Sequence, residues 1–442
     1  MDEKPKNLWN TNYKYQMHVT ISTIDSTIKS ENVDERVVYI EDLEKRKQAY
    51  GICGECKEPG TGEYWCQPCN AKRFKDNFKN WTSGNKDIDE FIQQSQLNAV
   101  HCYKCLEWIP FEKFQNITYI AEGGFGKIYS AEWPEGFISH WDIENQKWYR
   151  YKDSDKYALK SLNNSSDICS DFLNEINSHL QIYLNDIVEC YGITQDPNNK
   201  EYMMVLIYCK NGNLRNYLNK SNNYINYKSK IDQLQRIARG LLDIHNAEKV
   251  HKDFHSGNIL FNIYPYISDL GMCQPANKQK VKEEGIYGVL PYMAPEVLQI
   301  PFNDIPHDDF LAIKICKGLR PTISKDIPKL LADLIIKCWD AEIKNRPTTK
   351  ELYQLLKKWY DEIEEIEGSE DNSENADNSQ ISEIYFQIKE CDKIRKEKFK
   401  NRSNEDKSKN FKTHPQAIYT SRLLNFKNLP NPVNSSDVPS FQ

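Results

Sequence analysis

The stretch Tyr119-Ile120-Ala121-Glu122-Gly123-Gly124-Phe125-Gly126-Lys127-Ile128-Tyr129 constrains this chain more than any other. Apolar residues flank a glycine cluster on both sides, the pattern of two strands folded back as a hairpin. Glycine has no Cβ, so a polyphosphate can come close against such a backbone. A glycine-rich turn is weak evidence by itself, and its weight here comes from the residues that follow it.

The whole chain sets broad limits. Its 442 residues leave room for two or more domains. A formal net charge of -6 with 28% charged residues gives no electrostatic footprint for nucleic acid or a membrane surface. The segment Met1 to Lys6 is polar and lacks a signal-peptide core. The densest apolar run, Met203 to Cys209, suits a buried strand and is too short to span a bilayer. Thirteen cysteines without a secretion signal favour thiols or metal ligands in a reducing, cytoplasmic compartment.

Composition divides the chain further. Residues 1–48 form a polar N-terminal segment, and 49–70 are dense in Cys and Gly. Residues 71–115 read as a helical linker whose Ile88, Phe91, Ile92 and Leu97 make an apolar stripe. From 116 to 210 β-like runs dominate, broken by a helix around Ser170–Leu184, and 212–360 is mainly helical. Residues 361–442 are acidic, Ser/Asn-rich or alternating in charge, the composition of a disordered tail.

Further groups of chemically suggestive residues follow the glycine hairpin. Tyr157-Ala158-Leu159-Lys160 is a short strand ending in lysine, and Glu175 follows fifteen residues later in helical text. A lysine held by a glutamate is a positioned cation for phosphate oxygens. The loop Val250-His251-Lys252-Asp253-Phe254-His255-Ser256-Gly257-Asn258-Ile259-Leu260 places a carboxylate and an amide five residues apart. Ser268-Asp269-Leu270-Gly271 adds a second carboxylate. Mg²⁺ takes hard oxygen ligands, which Asn258 and Asp269 supply, leaving Asp253 to accept a hydroxyl proton. Ala294-Pro295-Glu296 closes the series.

In this order the motifs resemble those of the eukaryotic protein kinases over roughly 116–360. With its cysteine-rich prefix the chain also looks like a tyrosine-kinase-like family expanded in certain soil fungi. The resemblance implies an α+β, bilobal fold with a β-rich N-lobe and a helical C-lobe, and transfer of the ATP γ-phosphate to Ser, Thr or Tyr of protein substrates. It implies that Lys160 contacts the α/β-phosphates and pairs with Glu175, and that Asp253 is the base. Asn258 and Asp269 hold Mg. Ile120, Gly123 and Gly126 belong to the ATP lid. Leu206 is the gatekeeper, followed by the hinge Ile207, Tyr208 and Cys209, while Ile128, Ala158 and Leu260 enclose the adenine.

Departures from the family pattern carry information. Ala121 stands where the first lid glycine is expected, and Lys252 where an arginine precedes the catalytic Asp. His255 replaces the lysine usual in Ser/Thr kinases, and Val289 follows Gly288 where they place Thr, which leaves hydroxyl specificity open. From Met272 to Leu290 there is no Ser or Thr, and Tyr287 is the one hydroxyl. The largest departure follows Glu296. The chain runs through Ile300-Pro301 into Asp309-Phe310-Leu311 without the long apolar helix that is the hub of the C-lobe. A segment dropped at this joint is the preferred reading. The alternative is an inactive pseudokinase scaffold.

Cys53-Gly54-Glu55-Cys56 and Cys66-Gln67-Pro68-Cys69 form two C-x-x-C pairs separated by nine residues, a spacing that suits structural Zn²⁺. The site is expected to staple the prefix or to bind a protein partner. Nucleic acid is disfavoured, because Lys72, Arg73, Lys75 and Lys79 make only a modest basic cluster. Cys102 and Cys105 read as buried thiols, and the tryptophans of 133–148 as packing in a long hairpin.

Overall fold

The computed structural model describes residues 6–11, 19–21, 36–123, 126–152, 155–162, 170–182, 186–220, 224–276, 286–288, 305–370, 382–401, 414–419, 421–424 and 429–434. Two units divide between Tyr208 and Cys209, within the stretch expected to be the hinge.

Unit 1 is built on a six-stranded sheet. Its strands are β1 (Glu107–Trp108), β2 (Gln115–Gly123), β3 (Gly126–Glu132), β6 (Tyr157–Leu162), β7 (Cys190–Gln195) and β8 (Tyr202–Ile207), in the order β1-β7-β8-β6-β3-β2. All pairs are antiparallel except β1 with β7. β8 is buried along its whole length, as its unbroken apolar text requires. Between β3 and β6 a separate hairpin, β4 (Phe137–Asp142) and β5 (Lys147–Tyr151), forms its own ladder.

The prefix is part of this unit. Helices α1 (Leu43–Tyr50), α2 (Gln67–Asn77) and α3 (Lys86–Asn98) precede the sheet. Asn85 caps α3 by accepting from Asp87 N–H, and Ile88 and Ile92 of the expected stripe are fully buried. The tryptophans of the hairpin pack inward: Trp148 stacks on Phe74 at 4.7 Å and on Trp65 at 6.0 Å, in a cluster that includes Cys102, Cys105 and Ile138. Arg150 reaches Glu107 at 2.7 Å. The linker expected over 71–115 therefore ends as a sheet strand, β1.

Unit 2 centres on α6 (Tyr227–Asn246), which follows the short α5 (Leu214–Lys220). One cluster joins Tyr227, Ile231 and Ala238 of α6 to Leu331 of α8 (Lys329–Cys338) and to Leu356, Trp359 and Ile363 of α9 (Thr349–Glu370). The strands β9 (Ile259–Phe261) and β10 (Pro265–Ile267) make a tight antiparallel pair. Helix α7 (Asp309–Cys316) opens on Asp308, whose carboxylate accepts from Leu311 N–H at 3.1 Å.

The tail departs from its expected disorder. Helix α9 continues to Glu370, and α10 (Glu383–Lys400) is a packed element. Ile384, Tyr385 and Ile388 are buried in the α6–α9 cluster. Asp392 accepts from Tyr227 N–H at 3.1 Å, satisfying a donor in the first turn of α6. Further along the tail β12 (Arg422–Leu424) pairs antiparallel with β11 (Ile286–Gly288). The Ala294-Pro295-Glu296 motif and the joint at Ile300-Pro301 lie outside the described residues.

Candidate functional site

The sheet face of unit 1 follows from register. Cross-strand partners share a face, and Lys160 faces Ile128 while Ala158 faces Leu206. Ile128, Ala158, Lys160 and Leu206 thus lie on one side. Helix α4 (Ser170–Gln181) meets that side, with Glu175 Oε1 2.7 Å from Lys160 Nζ and both side chains buried. The opposite side carries Tyr157, whose ring meets Trp133 at 5.3 Å and Tyr191 at 5.6 Å. At the turn end Gly123 pairs with Gly126. A Cβ on Gly126 would stand 1.8 Å from the Ser161 carbonyl oxygen, so this approach of β3 to β6 admits only glycine. Ile120 on β2 is exposed, and Leu206 at the end of β8 is buried. Tyr208 and Cys209 stand on either side of the unit boundary.

In unit 2 the loop before β9 gathers the other predicted residues. Asp253 is buried, and its Oδ2 accepts from the Asn258 amide at 3.1 Å. The same amide donates to Asp253 O at 3.0 Å. Because Ile259 faces Ile267 across the β9–β10 ladder, Asn258 and Ser268 come opposite each other, and Ser268 N–H donates to Asn258 O at 2.8 Å. Asp269 follows Ser268 directly. Asp269 is in the left-handed region at φ 62, as is Lys252 at φ 63, and non-glycine residues held there are common in active sites. Leu260 pairs with Tyr266 in the ladder.

Two histidines frame Asp253. His251 is buried, takes the Asp253 N–H on Nδ1 at 3.3 Å and donates from Nε2 to Ser268 O at 3.0 Å. Burial holds its pKa below the ordinary histidine value. Gly257 N–H donates to His255 Nδ1 at 2.9 Å, which leaves the proton on Nε2, 3.6 Å from Asp253 Oδ2. A Cβ on Gly257 would stand 2.5 Å from His255 Cε1, so this glycine gives the ring its place. Burial raises the Asp253 pKa, but hydrogen bonds from His255 and Ser421 outweigh it, and the net shift is downward.

Ser421 was not foreseen. Its Oγ donates to Asp253 Oδ1 at 2.5 Å and lies 3.2 Å from His255 Nε2. Nothing in Tyr419-Thr420-Ser421-Arg422 marks it locally. Only contacts formed more than a hundred residues away in sequence bring it there.

The four prefix sulfurs of Cys53, Cys56, Cys66 and Cys69 lie within 4.8 Å of one another, with Cys53–Cys69 at 3.9 Å and Cys56–Cys66 at 3.6 Å. Zinc–sulfur bonds near 2.3 Å put tetrahedral ligands about 3.8 Å apart, so the cluster fits Zn²⁺. Hydrogen bonds from Cys66 and its neighbours draw the Cys53 thiol down to about 5, against the effect of burial. Cys66 is pushed well up, chiefly by Cys53, and burial lifts Cys69 to about 12. The first proton leaves readily and like charge holds the next, so a bound divalent cation is what would let all four ionise. Cys102 and Cys105 are buried thiols raised by desolvation, as expected.

Comparison with known proteins decides the family of the central region. A family model described as protein tyrosine and serine/threonine kinase matches residues 114–300. The chain carries a protein kinase domain. The chain is 28% identical over 252 residues to RGS domain-containing serine/threonine-protein kinase A of Dictyostelium discoideum, covering 48% of this chain and 22% of that protein. It is 26% identical over 281 residues to serine/threonine-protein kinase VIK of Arabidopsis thaliana, covering 55% and 60%. Tyrosine-protein kinase SPK-1 of Girardia tigrina is 23% identical over 273 residues, covering 54% and 51%. The chain thus spans less than two thirds of each relative. Among the described residues, no helix is long and apolar enough to cross a membrane.

Proposed function

We propose that this chain is a protein kinase, dependent on ATP and Mg²⁺ and transferring phosphate to protein hydroxyls. The observation that carries the reading is the buried Lys160–Glu175 pair at 2.7 Å. A buried ion pair adds little net stability, so its retention points to use. Lys160 then holds phosphate oxygens and Glu175 fixes it. Asp253, kept ionised by its hydrogen bonds, takes the acceptor proton. Asn258 and Asp269 hold Mg²⁺, which when bound neutralises charge on the phosphates. Ile120, Gly123 and Gly126 cover the nucleotide, and Ile128, Ala158, Leu206, Tyr208, Cys209 and Leu260 take the adenine. Assignment to the tyrosine-kinase-like group, and to its fungal branch, rests on the sequence resemblance.

The four prefix cysteines are proposed to bind structural Zn²⁺. Their module packs against β4–β5, which favours an internal staple over recruitment of a separate protein partner. The proposed cytoplasmic location rests on the cysteine-rich sequence. One observation favours the inactive-scaffold alternative: the family match ends at residue 300, where the expected hub helix is missing from the sequence.

Thermal shift with Mg-ATP, with Lys160→Met as control, tests nucleotide binding. Transfer of labelled γ-phosphate to casein tests catalysis, and Asp253→Asn is expected to lower it by about 10²-fold or more. Absence of both shift and transfer rejects the reading. A shift without transfer leaves the scaffold.

A further inference from the structure

We infer that Ser421 is a phosphoacceptor of this chain's own kinase domain, modified within the same molecule. The inference rests on the kinase reading above and adds its substrate. Three observations carry it, all within unit 2. Ser421 Oγ donates to Asp253 Oδ1 at 2.5 Å, the contact an acceptor hydroxyl must make with its base. His255 carries its proton on Nε2 and directs it at the same oxygen from 3.2 Å. The backbone that presents Ser421 is fixed independently by the β11–β12 ladder, in which Gly288 faces Arg422.

The segment before Ser421 is anchored on two further elements. The Arg215 guanidinium lies 3.8 Å over the Tyr419 ring, and His307 meets the same ring at 4.8 Å. His307 N–H donates to Gln416 O at 3.0 Å, its Nδ1 lies 2.8 Å from Ile418 O, and Arg422 donates to His307 O. The segment is therefore held by main-chain bonds and one aromatic anchor, with its serine on the Asp253 carboxylate. The segment it pairs with has no Ser or Thr between Met272 and Leu290. The tail supplies the aliphatic hydroxyl that this region lacks. A short side chain reaches Asp253 from this backbone and a phenol would overshoot it, so the acceptor is aliphatic.

The step balances with a nucleoside triphosphate as donor. A hydroxyl oxygen has two lone pairs; His255 binds one, and the other forms the bond to the γ-phosphorus. The bond from that phosphorus to the β–γ bridging oxygen breaks, the diphosphate leaves with the electron pair, and the Ser421 proton passes to Asp253. The phosphoserine carries about two negative charges, and once Asp253 has released its proton to water, repulsion between the two drives the segment off.

The test uses the full-length chain with Mg-ATP and locates phosphate by peptide mass spectrometry. Phosphate is expected on Ser421, at a first-order rate unchanged over a hundredfold dilution. Ser421→Thr is expected to carry phosphothreonine at the same position, and Ser421→Ala none there. Casein transfer with Ser421 unmodified, or phosphate on Thr420 instead, overturns the inference and leaves the kinase reading standing. A rate proportional to protein concentration overturns modification in cis. No transfer to any acceptor overturns both.

Discussion

The prefix over 43–105 and the tail over 383–424 flank the kinase domain, and each is held to its own unit by different chemistry. The prefix concentrates its means: four sulfurs within 4.8 Å, and Phe74 and Trp65 both stacked on Trp148. The tail spreads them over Ile384 and Ile388 in the α6 cluster, Asp392 on the first turn of α6, Tyr419 under Arg215, and a backbone ladder. A concentrated attachment fails all at once, whereas a distributed one loses contacts singly. The difference teaches where each region is vulnerable.

Zinc removal would break the comparison most sharply. Structural zinc contributes on the order of 10 kcal/mol to small zinc domains. Chelation, or Cys56→Ser, is expected to abolish the near-UV signal of the Trp65–Trp148 stack while amides of α10 keep their protection from hydrogen exchange. An unchanged tryptophan signal would show that the sulfurs do not organise the prefix. Next in size, Ile388→Ala empties a site in the α6–α9 cluster and is expected to cost about 2–5 kcal/mol, read by chemical denaturation. A disordered tail would register no change.

The third prediction separates the regions by pH. Burial holds His101 down to about 4, below the ordinary histidine value. The unfolded chain therefore takes up the proton first. Stability is full above about pH 6.5 and falls by roughly 2–3 kcal/mol towards pH 4. His101→Asn keeps an acceptor for Tyr103 N–H and removes the titration. The difference between the two profiles should vanish above pH 6.5, and parallel profiles at all pH would refute the assignment. The smallest effect is Asp392→Asn, which weakens the charge-assisted bond to Tyr227 N–H and is expected to cost about 1 kcal/mol.

The same contrast explains what could be read from the chain. Motif order in the sequence singled out Lys160, Glu175, Asp253 and Asn258, and the fold pairs Lys160 with Glu175 and Asp253 with Asn258; paired spacing singled out the four cysteines, whose sulfurs the fold gathers. Tail helix α10 was not legible. Its buried apolar face is only Ile384, Tyr385 and Ile388, three residues that suffice because Tyr227 and Ile231 offer a formed surface. Charge alternation along Ile388 to Lys412 hid that face within the pattern of a solvated segment. Ser421 had no local signature, since its position depends on Arg215 and His307.

The tethering of the β12 strand has a consequence for competition. A peptide joined to its own catalytic loop is present at an effective concentration of about millimolar, whatever the dilution of the protein. Any external acceptor at micromolar levels must wait until that strand has left. Access to this kinase domain is then governed by a clock inside each molecule, and crowding more substrate around it shortens the wait very little.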